Sequence, residues 1–225
     1  MLKEPNCYNK CLVTGPFCNP IYNNNDNYVN VSSKDSEKCL PASCFCETGE
    51  LIRNGGFELP GVEPGRVLAD WESLAAPESR VVRTTTDVYR GNSAASIQTN
   101  VLPQPILRTV RLRQSVTVTP GCLYKLKFAE RLVALGNLGT DLPALIARIY
   151  YVYQGFQYDL LNAAIQKTQI DKKYHLHSEK AGLPVPCNVS AIFVQFEFFL
   201  PSTGGDIWNL DAVSLQSVKN TSVCC

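Results

Sequence analysis

The segment AIFVQFEFFLP, residues 191–201, constrains the fold more than any other stretch of the chain. Its alternation sets Ile192, Val194, Phe196 and Phe198 against Phe193, Gln195, Glu197 and Phe199. A period of two is the signature of a β-strand, because successive side chains leave opposite faces of a sheet. The same texture recurs. RVVRTTTDVYR and AASIQTN are β-branched and alternating, with the turn formers GNS between them. ILRTVRLRQSVTVTP alternates over a long run and stops at Pro120-Gly121, after which LYKLKFAERL resumes. This pattern predicts a hairpin turn at Pro120-Gly121. ALIARIYYVY and DIWNLDAVSLQSV complete the set, whereas QYDLLNAAIQKTQ fits either a helix or a strand followed by a loop. About eight strands separated by turn residues predict an all-β protein, an antiparallel β-sandwich or jelly roll.

The cysteines divide the chain. Six of the ten, Cys7, Cys11, Cys18, Cys39, Cys44 and Cys46, precede the strands; Cys122 and Cys187 lie among them, and Cys224 and Cys225 follow. Between Cys18 and Cys39 runs a polar, Asn-rich stretch that holds too little apolar surface to fold alone. Residues 1–48 are therefore expected to be a Cys-rich, largely irregular arm, residues 49–217 the sandwich, and residues 218–225 a short Cys tail. Zinc knuckles space their ligands as C-x2-C or C-x4-C pairs, and only Cys39–Cys44 fits, so disulfides are the expected use.

Charge excludes some functions. Net charge is +1, with 21 Lys and Arg against 20 Asp and Glu, too balanced for the phosphate neutralisation that nucleic-acid binding requires. No run of residues is apolar enough for a membrane-spanning helix, and the first residues lack the apolar core of a signal peptide. No GxSxG, HExxH or phosphate-loop motif is present, so an enzyme is not expected. His175 and His177 are the only histidines; on a strand their spacing puts both rings on one face, a geometry able to chelate a soft metal, although an exposed charged edge explains them as well.

Four segments in order, LIRNGGFE, VYRGNSAASI, QSVTVTPGCLYKLKFAERL and WNLDAVSL, together resemble the galactose-binding-like β-sandwich of carbohydrate-binding modules. The arrangement is most similar to the NTTRR-type amino-terminal domains of spore-forming Firmicutes, over about residues 51–216. The resemblance implies a structural calcium, with Gly56, Glu58 and Asp211 at the matching positions, oxygen donors of the kind calcium prefers. The alternative is that both carboxylates serve only in hydrogen bonds. No other cofactor is expected. Glycan recognition needs exposed aromatic rings, and Tyr150, Tyr151, Tyr153, Phe156 and Tyr158 are the candidates for a glycan or subunit contact. Trp71 and Trp208 are expected in the core or at its rim.

Adjacent cysteines rarely pair with each other, so Cys224 and Cys225 need partners elsewhere. A thiol-dense arm and a double-thiol tail are complementary ends, and head-to-tail joining that does not close generates a fibre. The leading expectation is thus a homopolymer joined by intermolecular disulfides, a structural subunit of a spore-surface filament, appendage or coat such as the exosporium. Such a protein is made without a signal peptide and oxidised outside the cell after mother-cell lysis. The alternative is a carbohydrate-binding module whose cysteines bridge only within the chain.

Overall fold

The computed structural model describes residues 46–62 and 66–218. Ten strands follow in order: β1 (Glu72–Ala75), β2 (Ser79–Thr84), β3 (Ala94–Thr99), β4 (Arg108–Thr117), β5 (Tyr124–Ala134), β6 (Ala144–Tyr153), β7 (Phe156–Gln166), β8 (His175–Lys180), β9 (Ala191–Leu200) and β10 (Ile207–Ser217). They form two five-stranded antiparallel sheets, β1-β4-β9-β6-β7 and β2-β3-β10-β5-β8. No helix occurs among the described residues. The all-β sandwich expected from alternation is the fold observed.

The sheets bury their facing sides. Ile192, Val194, Phe196, Phe198 and Leu200 of β9 meet Leu126, Phe128 and Leu132 of β5 and Trp208 and Leu210 of β10 in the core. Phe128 packs edge-on against Phe196, and Trp208 against Phe198. Trp71 and Trp208 are both fully buried, as expected. The NGGFE stretch is a tight corner. Asn54 and Phe57 are its left-handed residues, at φ 50° and 55°. Gly55 is required by close approach, since a side chain there would meet the Val213 carbonyl oxygen at 2.0 Å. Asn54 holds the corner by donating to the Leu59 and Ala69 carbonyls and accepting from the Leu59 amide.

One sequence expectation changes, and one open reading is decided. Pro120-Gly121 makes no hairpin, because β4 belongs to one sheet and β5 to the other. Both strands carry an apolar face, Val110, Leu112 and Val116 on β4 and Leu126, Phe128 and Leu132 on β5. Placing them across the sandwich buries both faces against each other. The turn therefore carries the chain over the end of the sandwich, anchored by the Gly121 amide on the Val185 carbonyl. The ambiguous QYDLLNAAIQKTQ segment is mostly strand, β7 pairing with β6 along its length. Gln154 and Gly155 close that hairpin at φ 51° and 82°, the two left-handed residues that a two-residue turn requires.

Candidate functional site

The outward side of the β1-β4-β9-β6-β7 sheet carries an ordered polar surface. Strand register defines it row by row. One row runs Glu72, Arg113, Gln195, Arg148, Asn162 across all five strands. The next holds Leu74, Arg111, Glu197, Ile146 and Ala164. On the other side lie Ser115, Phe193, Tyr150 and Asp159. On β4, β6 and β9 these residues are one step out of phase with the core positions, so alternation aims them outward, and the strand register extends the rows to β1 and β7.

Their side chains bind one another across the strands. Arg113 grips Glu72 at 2.6 Å, its guanidinium lies over the Phe193 ring at 4.8 Å, and Phe193 stacks on Tyr150 at 5.2 Å. The Tyr150 hydroxyl donates to the Gln195 side-chain oxygen at 3.3 Å. Tyr150, and then Glu72, hold the Arg113 guanidinium in its charged form. Glu197 is only 4% exposed yet sits on the outward side, with Arg111 at 2.6 Å and Arg148 at 3.7 Å. Long neighbouring side chains shield it, so the ion pair is less screened than a free surface bridge. The result is a fixed array of guanidinium, carboxylate, amide and phenol groups over five strands. Such groups, pre-positioned, are suited to hydroxyl-rich or charged ligands.

The five aromatic candidates divide between two sides of the β6–β7 hairpin. Tyr150 belongs to the polar array, paired with Asp159. Tyr151 pairs with Tyr158 and Tyr153 with Phe156, on the opposite side. Tyr151 joins the core edge and stacks on Tyr158 at 5.2 Å; burial, with Tyr158 close by, pushes its hydroxyl pKa up. Tyr153, Phe156 and Tyr158 are exposed, Phe156 at 68%. The strand period thus prevents one platform of five rings.

Glu58 and Asp211 converge on the loop spanning residues 89–93. Glu58 accepts from the Asn92 amide at 2.7 Å and the Ser93 hydroxyl at 3.0 Å. Asp211 accepts from the Tyr89 and Arg90 amides at 2.9 Å and from the Ala212 amide at 2.6 Å. Burial pushes the Asp211 carboxyl above its usual range despite those amides, and the Glu58 charge adds to the shift. The Asn92 amide, over a small burial effect, draws Glu58 below its usual range. Gly56 lies beside Glu58, within 3.7 Å of its side chain as judged from a Cβ placed there. By donor type, two carboxylates and a backbone carbonyl suit a hard cation.

His175 and His177 do share a strand, β8, but each is bound to a separate carboxylate. His177 meets Glu130 and His175 meets Asp171, both at 3.1 Å. Lys167 sits between the carboxylates, 2.9 Å from Glu130 and 3.0 Å from Asp171, and the Trp208 indole donates to Glu130 at 2.9 Å. The cluster is the internal neutralisation of a fully buried carboxylate. Among the described residues no group of three His, Cys, Asp or Glu side chains is placed to hold a metal ion.

Of the ten cysteines, Cys46 and Cys122 form a disulfide within the chain, and Cys187 is disulfide-bonded too. Cys46, expected among the cross-linking sulfurs, is thereby committed to the body of its own subunit. Cys7, Cys11, Cys18, Cys39, Cys44, Cys224 and Cys225 lie outside the described residues.

Sequence reasoning placed Gln195 and Glu197 opposite the core side of β9 but passed over Arg111, Arg113 and Arg148. The signal was available in RTVRLRQSVT and ALIARIYYVY, where Arg111, Arg113 and Arg148 fall at the polar phase of the alternation, although Arg108 falls at the buried one.

The architecture is a two-sheet antiparallel β-sandwich similar in fold to solved carbohydrate-binding modules. TmCBM61, solved in complex with β-1,4-galactotriose, superposes with a TM-score of 0.50 at 16% identity, over 76% of this chain and 100% of that one. The CBM22-1 xylan-binding domain of Paenibacillus barcinonensis Xyn10C gives 0.50 at 17% identity, over 76% and 96%. The enzymatically active domain of tailspike protein 4 from bacteriophage CBA120 gives 0.51 at 12% identity, over 75% of this chain and 21% of that chain. At these identities the likeness is one of fold. No family model matches the chain. No curated protein matches it.

Proposed function

We propose that the protein is a carbohydrate-binding module, not an enzyme, and that it binds glycan on the outward side of the β1-β4-β9-β6-β7 sheet. The observation that carries this reading is the five-strand row Glu72, Arg113, Gln195, Arg148, Asn162, with its side chains held by neighbours. A row of directional donors and acceptors across a sheet matches the repeating hydroxyls of an extended sugar chain. Because the groups are already fixed by ion pairs and stacking, little side-chain freedom is lost on binding. The neighbours' printed ligands, a galactotriose and a xylan, are consistent with a sandwich of this kind serving a polysaccharide.

A calcium ion would be held by the Glu58 and Asp211 carboxylates and the Gly56 carbonyl. It would supply charge compensation to the corner beneath β2 and β3 and no chemistry at the glycan row. The narrower kinship with NTTRR-type domains, and with it a spore-surface location, rests on the sequence motifs alone. A disulfide-joined filament draws no support from the described cysteines, since Cys46 and Cys122 close on each other.

A glycan array probed with the purified chain tests the reading. Binding lost in Gln195→Ala and Arg113→Ala but kept in Tyr153→Ala and Phe156→Ala is expected. The reverse pattern moves the site to the hairpin tip, and binding to no glycan at all rejects the function.

A further inference from the structure

We infer that the glycan taken by this sheet is acidic, a polysaccharide bearing uronic-acid carboxylates, and that Arg148 is the residue that selects it. The inference rests on the glycan-binding reading above and deepens it. Three guanidiniums stand on the outward side, and two of them are matched. Arg111 closes on Glu197 at 2.6 Å and Arg113 on Glu72 at 2.6 Å. Arg148 is left with the same Glu197 at 3.7 Å, a carboxylate already committed to Arg111. Its Nε–H is buried and has no hydrogen-bond partner among the described residues.

Among the described residues no other acid is positioned to complete it. The register neighbours of Arg148 are Gln195 and Asn162, both uncharged. Asp159, the remaining acid on this side, accepts from the amides of Gln157 at 2.7 Å and Asn162 at 3.3 Å. The Arg148 side chain is 23% exposed, so part of it is open to solvent although its Nε is buried. An arginine on an inner strand with one shared, distant counter-charge among the described residues holds an unmet demand for a carboxylate. A guanidinium presents a rigid planar fork that matches a carboxylate in a bidentate contact, which a sugar hydroxyl does not reproduce. Gln195 and Asn162 on either side of it supply amide donors and acceptors for the hydroxyls of the same or the adjoining sugar.

Isothermal titration of the purified full chain against polygalacturonate, neutral β-1,4-galactan, neutral xylan and dextran sulfate tests this. Polygalacturonate is expected to bind best, with affinity falling about tenfold between about 50 mM and about 500 mM NaCl as the charge contact is screened. Arg148→Gln is expected to lose about tenfold toward polygalacturonate, and Arg148→Lys a smaller part of that, because the charge persists without the fork. Arg80→Gln, on the other sheet, is the control and should bind as the parent does. A neutral polymer bound as tightly as polygalacturonate, without salt dependence, overturns the acidic specificity and leaves the glycan reading intact. Preference for dextran sulfate overturns the carboxylate assignment. Binding to none of the four overturns the acidic specificity, while the glycan reading falls only if the glycan array is blank as well.

Discussion

Replacing Cys46 and Cys122 together by alanine removes the one bridge whose two ends are both described, and its cost follows from the loop it closes. The bridge joins residues 76 apart in sequence. In the chain-entropy account, a closed loop of that length restricts the unfolded ensemble by about 4.5 kcal/mol at 25 °C. Cys122 is fully buried, so the lost sulfur contacts add to the effect in the same direction. The bridge also fastens the strap that leads into the sandwich. Beside it, the Tyr124 hydroxyl donates to the Glu47 carboxylate at 3.3 Å and the Ser217 hydroxyl to the Glu47 carbonyl at 2.6 Å. Each kcal/mol moves the melting temperature of a chain this size by about 2–4 °C, so a fall of at least about 8 °C is expected. Differential scanning calorimetry of parent and double variant, both without reductant, measures it. A fall of less than about 2 °C refutes the reasoning, because the loop entropy then contributes nothing to the difference between folded and unfolded chains.

Glu130→Gln should destabilise by about 3 kcal/mol in urea titration, since Lys167 loses one of its two buried counter-charges. Burial pushes the Glu130 carboxyl up, but His177, Lys167 and Trp208 outweigh it and hold it below the ordinary glutamate value. Its stabilisation is therefore present above that value and lost as pH falls through the lower folded one, so the parent's stability should decline in acid more steeply than the variant's; parallel curves contradict this. Gly91→Ala should cost about 1–3 kcal/mol, because Gly91 lies at φ 82° and an added Cβ meets Glu58 Oε1 at 2.0 Å. Calcium should raise the melting temperature of the parent and not of Asp211→Asn; equal melting in calcium and in chelator removes the ion from the account.

The strands were legible where one face had to be buried. In β9 the even positions Ile192 to Phe198 are core and the odd ones are not, as alternation requires. β1 and β8 were harder to read, the first for its four residues and the second because HLHSEK carries little apolar signal. Sheet partnership was not legible at Pro120-Gly121. The same turn chemistry serves a hairpin or a crossing between sheets, and the choice depends on which apolar faces meet. The candidate site was half visible. Tyr150, Gln195 and Glu197 stood in strands already recognised, but the array needs Arg111, Arg113 and Arg148 brought alongside by pairings between strands far apart in sequence. The aromatic run YYVYQGFQY looked like one surface because its rings are close in sequence, while the two-residue period sends Tyr150 to one side and Tyr151, Tyr153, Phe156 and Tyr158 to the other.

Amide chemical-shift mapping of the isotope-labelled chain during titration with polygalacturonate tests the central claim most directly. Shifts concentrated at Arg111, Arg113, Arg148, Gln195 and Glu197, with the β2-β3-β10-β5-β8 sheet unmoved, are the predicted result. Shifts confined to Tyr153, Phe156 and Tyr158, or a spectrum unchanged at saturating polymer, would contradict it.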